Sequence, residues 1–466
     1  MVILAGSRYS DYVVLFSLAV AVLLLKYPIL SLPYYWDEFH LIEGSLWMIE
    51  NHLSFNLPDY LDFGHPPLLY ELFAISYAVL GESLLLSRLL ILVFSLLGLY
   101  YTYLLGSYVS DRVVGFLAAI LLFFSPMYYS VSGEALFDIP LTALSVMVLY
   151  YGIRQRPIPY LLTAFSAVLI KEAGILPVLA VLSYVISTGI SEASRIKKFL
   201  PLYSLPAFIW VAWLLHHQLI AGWIMKPSQV GFLPLSSAYS QFLLISGHFF
   251  LSDFRFILTF AIILILVLRR GEFRHFRYVP LLIMVLSTVF GFSLIRGFLI
   301  RYVLIAYPSY FLLGVLSLKS LLRRPEFYIS FVFLLVLLSI GNWTGDRTDS
   351  CGCVLESNME YADAVRTNLY AIKYLSKNYP NATVLSSWPL DHALMLPSVH
   401  YIEQPLTIAG DACVNGDLTN ANIFVYSSQS ACHGNLMKIL TESAGNLTLI
   451  KGFEINNKIT EIYLIN

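Results

Sequence analysis

Charge is scarce in this chain. Lys and Arg number 28 and Asp and Glu 29 among 466 residues, 12% in all, about half the share of ordinary soluble domains. A formal net charge of −1 supplies no global field to gather DNA, RNA or acidic lipid, and no nucleic-acid partner is expected. Cysteine is rarer still, at four residues, which excludes a small disulfide-built scaffold. Neither G-x-x-x-x-G-K-[S/T] nor G-x-G-x-x-G ahead of a helix occurs, so an ATP-driven or dinucleotide-dependent enzyme has no support. What the chain has in quantity is apolar and aromatic surface: 58% hydrophobic, with 31 Phe, 32 Tyr and 7 Trp. That composition excludes disorder and predicts a polytopic α-helical membrane protein.

The few charges divide the chain near residue 344. Residues 1–343 carry 38 of them among long apolar runs, and residues 344–466 carry 19 in a water-soluble texture. A membrane domain over 1–343 and a soluble α/β domain over 344–466 are expected. All four cysteines (Cys351, Cys353, Cys413, Cys432) and two of three N-x-[S/T] sequons (Asn342, Asn381, Asn446) lie in the soluble part. They point to an oxidising compartment, against free thiols and chance sequons on a cytosolic tail.

Topology separates those readings. Apolar runs near 12–32, 84–106, 113–131, 137–153, 157–171, 173–190, 199–222, 254–268, 278–295, 302–318 and 327–343 predict eleven spans, with thirteen or nine if a pair is split or merged. Alternate loops hold Arg154 and Arg156; Arg195, Lys197 and Lys198; Arg269, Arg270, Arg274 and Arg277; and Lys319, Arg323 and Arg324. These bases mark the cytoplasmic side. The N-terminus is then cytoplasmic and the C-terminal domain extracytoplasmic, in a cell-membrane or endoplasmic-reticulum-type bilayer. The first run follows Arg8 but has no small-x-small cleavage site before Lys26. A retained span is therefore expected, with Lys26 snorkelling to the interface.

The first outer loop, 33–83, is the most informative stretch. Between Lys26 and Arg88 stand eight acids and no Lys or Arg. WDEFHLIEGSLWMIE (36–50) interleaves apolar and acidic positions at helical spacing, which suits a helix lying along the membrane surface. GHPPLLYELFAISYAVLG (64–81) predicts a second such helix, started by Pro66 and Pro67. Other charges gather at the outer mouths of the spans: Glu134, Asp138, Lys171, Glu172, Arg296 and Arg301, with Arg88 a turn inside its span. Ionisable groups at that depth face a cavity or one another.

These residues resemble a family. Asp37-Glu38 with His40 three positions after the Asp, then HPPL (65–68), then Arg88 early in the next span, is similar to the protein O-mannosyltransferases. Asp138-x-Pro-Leu and Arg301-Tyr302 resemble the wider set that includes the bacterial aminoarabinose transferases. Both are GT-C glycosyltransferases. The resemblance spans roughly residues 10–320. It implies a polyprenyl- or dolichyl-phosphate sugar as donor, hexosyl or pentosyl transfer on the outer face, and a protein, lipid or glycan acceptor. The tail lacks both sugar-binding repeats and a Trp-Trp-Asp signature.

The chemistry agrees independently. A lipid phosphate is a good leaving group, so its departure needs cations more than a general acid, while the acceptor hydroxyl needs a base. One carboxylate and a few cations suffice, unlike the carboxyl pair of a glycosidase. Inversion at the anomeric carbon follows from a single displacement. Asp37 is the first choice for base, against a helix-start acid favoured by the dipole. Glu38 shares the catalytic site or is simply solvated. His65, Arg88, Lys171, Arg301 and Tyr302 are the candidates for donor and phosphate contact, the cations gaining most from an anionic partner. Ordinary snorkelling bases are the bland alternative for Lys171 and Arg301, and pairing with a loop acid for Arg88. Asp138 and Glu134 position the acceptor or a neighbouring group, or cap helices. A divalent cation is possible, though carboxylates without a His cluster select none.

The remaining motifs add little. Cys351-Gly-Cys353 is too close for a zinc pair, and a disulfide from it to Cys413 or Cys432 is expected. His216-His217 reads as a packed pair, and 236–252 as an amphipathic stretch resting on the bilayer or gating donor access. The tail predicts helices at 361–380 and 438–445 and strands at 383–389, 422–428 and 461–465 in a partly parallel sheet. The rival function is a transporter or flippase with an extracellular domain. It would want broken helices or polar groups at the midplane, where this sequence is overwhelmingly apolar. Composition leaves the oligomeric state open.

Overall fold

The computed structural model describes residues 8–189, 193–224, 226, 231–268, 278–344, 357–414 and 418–466. Cys351, Cys353, the 269–277 basic cluster and the side chains of Arg195, Lys197 and Lys198 lie outside the described residues.

Every apolar run folds as a helix. In chain order they are α1 (Arg8–Lys26), α2 (Glu38–Glu50), α3 (Leu68–Leu80), α4 (Leu84–Val109), α5 (Arg112–Phe124), α6 (Pro126–Val131), α7 (Asp138–Ile153), α8 (Pro157–Ile170), α9 (Ile175–Gly189), α10 (Ala193–Ala221), α11 (Leu235–Ser246), α12 (Arg255–Leu268), α13 (Val279–Ser293), α14 (Tyr307–Leu322) and α15 (Pro325–Ile340). Four described helices are long and apolar enough to cross a membrane alone, and a bent pair adds one more. Six of the expected spans are shorter helices, of 10–17 residues. α7 shows how a short helix serves here: nearly all its residues are buried against protein. It therefore has little lipid-facing surface to match to the bilayer, unlike α10, whose Phe208, Leu215 and Leu219 are exposed.

Close helix crossings are built on small residues. A Cβ on Gly115 would lie 2.2 Å from the Tyr103 carbonyl oxygen, so only glycine lets α5 approach α4 this closely. The stretch expected to rest on the bilayer, 236–252, is one arm of a helix pair bent by 95° against α12. Arg255 fixes the bend, with Nε donating to the Phe249 carbonyl at 2.8 Å and Nη1 to Asp253 at 2.9 Å. A two-stranded ribbon, β1 (Gly231–Phe232) with β2 (Ile295–Arg296), ties this region to the turn after α13.

The C-terminal domain holds α16 (Tyr361–Asn378), β3 (Thr383–Ser386), α17 (Leu390–Met395), β4 (Thr407–Asp411), β5 (Ile423–Ser427), α18 (His433–Glu442), β6 (Leu447–Ile455) and β7 (Lys458–Ile465). The sheet order is β4-β3-β5-β7-β6. β3 runs parallel to β4 and β5, while β7 is antiparallel to β5 and β6. Cys413 and Cys432 form a disulfide with each other, correcting the expectation of a disulfide from Cys351-Gly-Cys353 to Cys413 or Cys432. Cys413 follows β4 and Cys432 immediately precedes α18, at a sequence separation of 19.

This domain docks on the first loop. His400 Nε2 lies 2.8 Å from Glu82, the Tyr34 N–H donates to the Val399 carbonyl at 3.3 Å, and Tyr361 hydrogen-bonds Glu134. α2 is accordingly more enclosed than a surface helix. Its Phe39, Leu41, Ile42 and Met48 are buried, and Gly44 lets the Tyr70 ring of α3 press onto its backbone.

Candidate active site

Four charges meet where α2, α7, α8 and the 3-10 turn Ile300–Ala306 converge. Asp138 begins α7, where the helix dipole favours an acid, and Lys171 follows the last turn of α8, where it favours a base. Asp138 Oδ1 accepts from Lys171 Nζ at 3.0 Å, and Oδ2 from Arg301 Nε at 3.1 Å. Arg301 Nη2 donates to Asp37. Asp37 is the N-cap residue of α2, yet its carboxylate makes no capping bond; it is turned to Arg301 instead. Lys171 Nζ also sits 3.8 Å from the centre of the Tyr302 ring. The side chains of Asp138, Lys171 and Arg301 are no more than 5% exposed, while that of Asp37 is 30% exposed. The cluster carries two positive and two negative charges in its ligand-free form.

These residues line a cavity of about 250 Å³ with His40, Phe63, His65 and Tyr70. His65 Nδ1 lies 3.0 Å from Glu172, and its ring 4.7 Å from Phe137. Gly64, at φ +84°, makes the turn that presents it, with Trp223 packed against the position a Cβ would take. Two further cavities adjoin. One, of about 310 Å³, is walled by Leu176, Trp210, Phe232, Phe292 and Phe298 and is largely apolar. The other, of about 270 Å³, lies between Phe55–Asp62 and the end of α10. His65 is the one described residue that lines all three.

Glu38, Arg88 and Glu134 belong elsewhere. They do not line the cavity; each is at most 1% exposed and sealed in a second network. Arg88 bridges Glu38 and Glu134, with 3.1 Å from Nη1 to Glu134 Oε2 and 3.0 Å to the Gly133 carbonyl. Glu38 also accepts from the N–H of Tyr35 at 2.8 Å and of Ala135 at 2.6 Å. With these partners, Glu38, Arg88 and Glu134 face one another and not the cavity that Asp37 lines. Lys26 does not snorkel: it is fully buried, donating to the Tyr129 carbonyl beneath the same network.

His40 lines the cavity although no role was read for it in the sequence. Its ring lies between Phe63, at 4.0 Å, and Trp388 of the C-terminal domain, at 5.1 Å and only 7° from parallel. Burial lowers its pKa to about 4, against the pull of Asp37, so it is neutral near pH 7. The available signal was its spacing: residues three apart share a helix face. His217, read as packed, is held by Asp62 at 2.9 Å and the Trp223 carbonyl at 2.8 Å. Among the described residues the one grouping of three metal-ligating side chains is Asp411, Cys413 and Cys432. Its two sulfurs are bonded to each other. Asp37 and Asp138, the carboxylates that could hold a cation in the cavity, share Arg301.

The dolichyl-phosphate-mannose-protein mannosyltransferase family matches residues 64–217, about a third of the chain. No curated protein matches the sequence significantly. Among solved structures, apo ArnT from Cupriavidus metallidurans superposes with a TM-score of 0.58 at 16% identity over 98% of both chains. The same protein bound to undecaprenyl phosphate gives 0.57 at 14% identity, again over 98% of both. The Archaeoglobus fulgidus oligosaccharyltransferase in complex with Zn and sulfate gives 0.50 at 14%, covering 88% of this chain and 64% of its own.

Proposed function

We propose that this chain, a polytopic membrane protein with the GT-C glycosyltransferase fold, moves a sugar from a polyprenyl- or dolichyl-phosphate carrier to an acceptor hydroxyl on the extracytoplasmic face. The observation that carries this reading is the junction itself. A buried pair of cations, Lys171 and Arg301, sits in a polar cavity that shares Phe63, His65, Gly297 and Tyr302 with an apolar one. An amphiphile with a phosphate between a sugar and a hydrocarbon chain matches that arrangement. The relative that binds undecaprenyl phosphate supports the same class of carrier.

In the proposed reaction the donor phosphate takes Lys171 and Arg301. Arg301 then lets go of Asp37, whose carboxylate is freed to accept the proton of the acceptor hydroxyl. The acceptor oxygen bonds to the anomeric carbon as the bond from that carbon to the phosphate oxygen breaks. The electron pair leaves on the phosphate, which the two cations stabilise, and the configuration inverts. Asp138 holds both cations in place, and His65, kept by Glu172, flanks the reacting centre. Residues 1–343 form the catalytic part and residues 344–466 cover the site.

The test is transfer by Asp37→Asn in membranes supplied with labelled lipid-phosphate sugar. Loss of a positioned base lowers transfer about 10²–10⁴-fold, while undecaprenyl phosphate still binds. Full transfer by the variant would overturn the assignment. Mass spectrometry of acceptor glycans with and without the protein identifies the acceptor.

A further inference from the structure

Three N-x-[S/T] sequons stand in the chain, and the proposed transfer reaction uses none of them: Asn342-Trp343-Thr344, Asn381-Ala382-Thr383 and Asn446-Leu447-Thr448. We infer that Asn381 and Asn446 carry N-linked glycans and that Asn342 does not. Of the transferase reading this takes only the extracytoplasmic placement of residues 344–466, and it holds whichever acceptor the enzyme uses.

Local geometry favours modification at two of the three. A sequon is modified where its Asn amide can enter another enzyme's site, hence on a surface loop. Asn381 is the third residue of a turn between α16 and β3, closed by the Ala382 N–H donating to the Tyr379 carbonyl at 3.1 Å. Asn446 ends the short 3-10 turn Ala444–Asn446 ahead of β6. Both are exposed, and their side-chain amides make no hydrogen bond among the described residues. A Cβ on the neighbouring Gly445 would meet nothing within 4 Å, so a sugar there displaces no packed group.

The sheet then sets where the two glycans stand. α16 begins at Tyr361, which hydrogen-bonds Glu134 where the two parts meet. Its 18 residues carry the chain about 27 Å along the helix axis before Asn381. β3 brings the chain back, and Trp388, two residues past its end, stacks on His40. β3 runs parallel to β5, and β5 and β6 are both antiparallel to β7, so β3, β5 and β6 start at one end of the sheet. Asn381 and Asn446 share that end, opposite the one that meets α2. A glycan on either obstructs neither the docking contacts nor the cavity.

Asn342 is the contrast. It is half-buried and follows the last residue of α15 by two positions. The next residue is locked: the Trp343 ring lies 3.7 Å from that of Tyr129, only 9° from parallel. Trp343 Nε1 donates to the Phe124 carbonyl at 3.0 Å, and its own carbonyl accepts the Met359 N–H at 2.9 Å. These contacts hold the tripeptide against the membrane part.

The modification joins the Asn amide nitrogen to the anomeric carbon of a lipid-linked oligosaccharide, at a separate oligosaccharyltransferase. The bond from that carbon to the lipid phosphate oxygen breaks with its electron pair leaving on the phosphate. The amide proton passes to a base of that enzyme.

Mass spectrometry of peptides from the full-length protein, purified from the membranes of its own cells, tests this. Expected are Asn381 and Asn446 peptides heavier by whole sugar residues, and an Asn342 peptide at its unmodified mass. Asn381→Gln and Asn446→Gln each remove one glycan by electrophoretic mobility, and transfer activity is unchanged. Thr448→Ser keeps the glycan on Asn446 and Thr448→Val abolishes it. Asn381 or Asn446 found mainly unmodified, or a glycan on Asn342, overturns the inference. Protease added outside intact spheroplasts separates the two ways it can fail. A digested C-terminal domain without glycans sinks the inference alone, and a protected domain sinks the extracytoplasmic placement with it.

Discussion

Removing the Asp138 charge should make the protein bind its lipid carrier more tightly and work more slowly. In the ligand-free site Asp138 lies 3.0 Å from Lys171 and 3.1 Å from Arg301, all buried. At an effective dielectric constant near 20, each contact carries about 5 kcal/mol of Coulomb attraction. Desolvation offsets much of that, and breaking buried pairs of this kind costs about 3–5 kcal/mol. Asp138→Asn keeps the shape and leaves two buried cations without the carboxylate that bridges them, although Arg301 still faces Asp37. The folded variant should therefore lose about 3–5 kcal/mol without ligand. Undecaprenyl phosphate restores the missing negative charge, so a part of that loss returns on binding. If about 1.4 kcal/mol returns, affinity rises roughly tenfold. The assay is thermal unfolding of the detergent-solubilised protein across an undecaprenyl phosphate titration, beside transfer rates. The ligand should raise the melting temperature more in Asp138→Asn than in wild type, while transfer falls because the cations are no longer held in register. A smaller ligand-induced shift in the variant would refute the idea that Asp138 and the phosphate answer to the same pair of cations.

Other outcomes follow from the same contacts. Arg88→Met leaves Glu38 and Glu134 buried with Lys26 as the nearest remaining cation; a loss of about 3–5 kcal/mol is expected, and an unchanged melting temperature would contradict the sealed network. His40 makes stability depend on pH in a defined direction. Its folded pKa of about 4 lies below the ordinary 6.5, so between these values the unfolded chain binds the extra proton. Stability contributed by neutral His40 is thus complete above about pH 6.5 and is lost as pH falls towards 4. His40→Phe should flatten that part of the melting profile, and identical profiles for the two proteins would argue against it.

The helices were legible because an apolar run long enough for a bilayer has few other uses. Their lengths were not. α7 and α8 are short because protein encloses much of them, a property of neighbours rather than of their own residues. Charges were found correctly at the mouths of spans, but position along a helix does not say which way a side chain turns. Asp138 and Glu134 are four residues apart, and one faces the cavity while the other is sealed with Arg88 and Tyr361. Asp37 and Glu38 are adjacent and part in the same way. Trp388 against His40 joins residues 348 positions apart by number, and the Cys413–Cys432 pairing depends on how the chain returns along β5 between them. No local pattern encodes either contact. The strands β4 and β6 escaped notice because TIAGD and LTLIKGFEI carry glycine or charge where an alternating pattern would be apolar.

The hydrogen bond from Tyr361 to Glu134 joins residues 227 positions apart. At about 5–20 residues per second, the ribosome makes Tyr361 roughly 11–45 s after Glu134. For that interval Glu134 has Arg88 beside it but not Tyr361, which arrives with the soluble domain. The seam between the two parts is therefore closed at the end of biogenesis. A chain stopped before Tyr361 lacks that hydrogen bond, however well its helices have inserted.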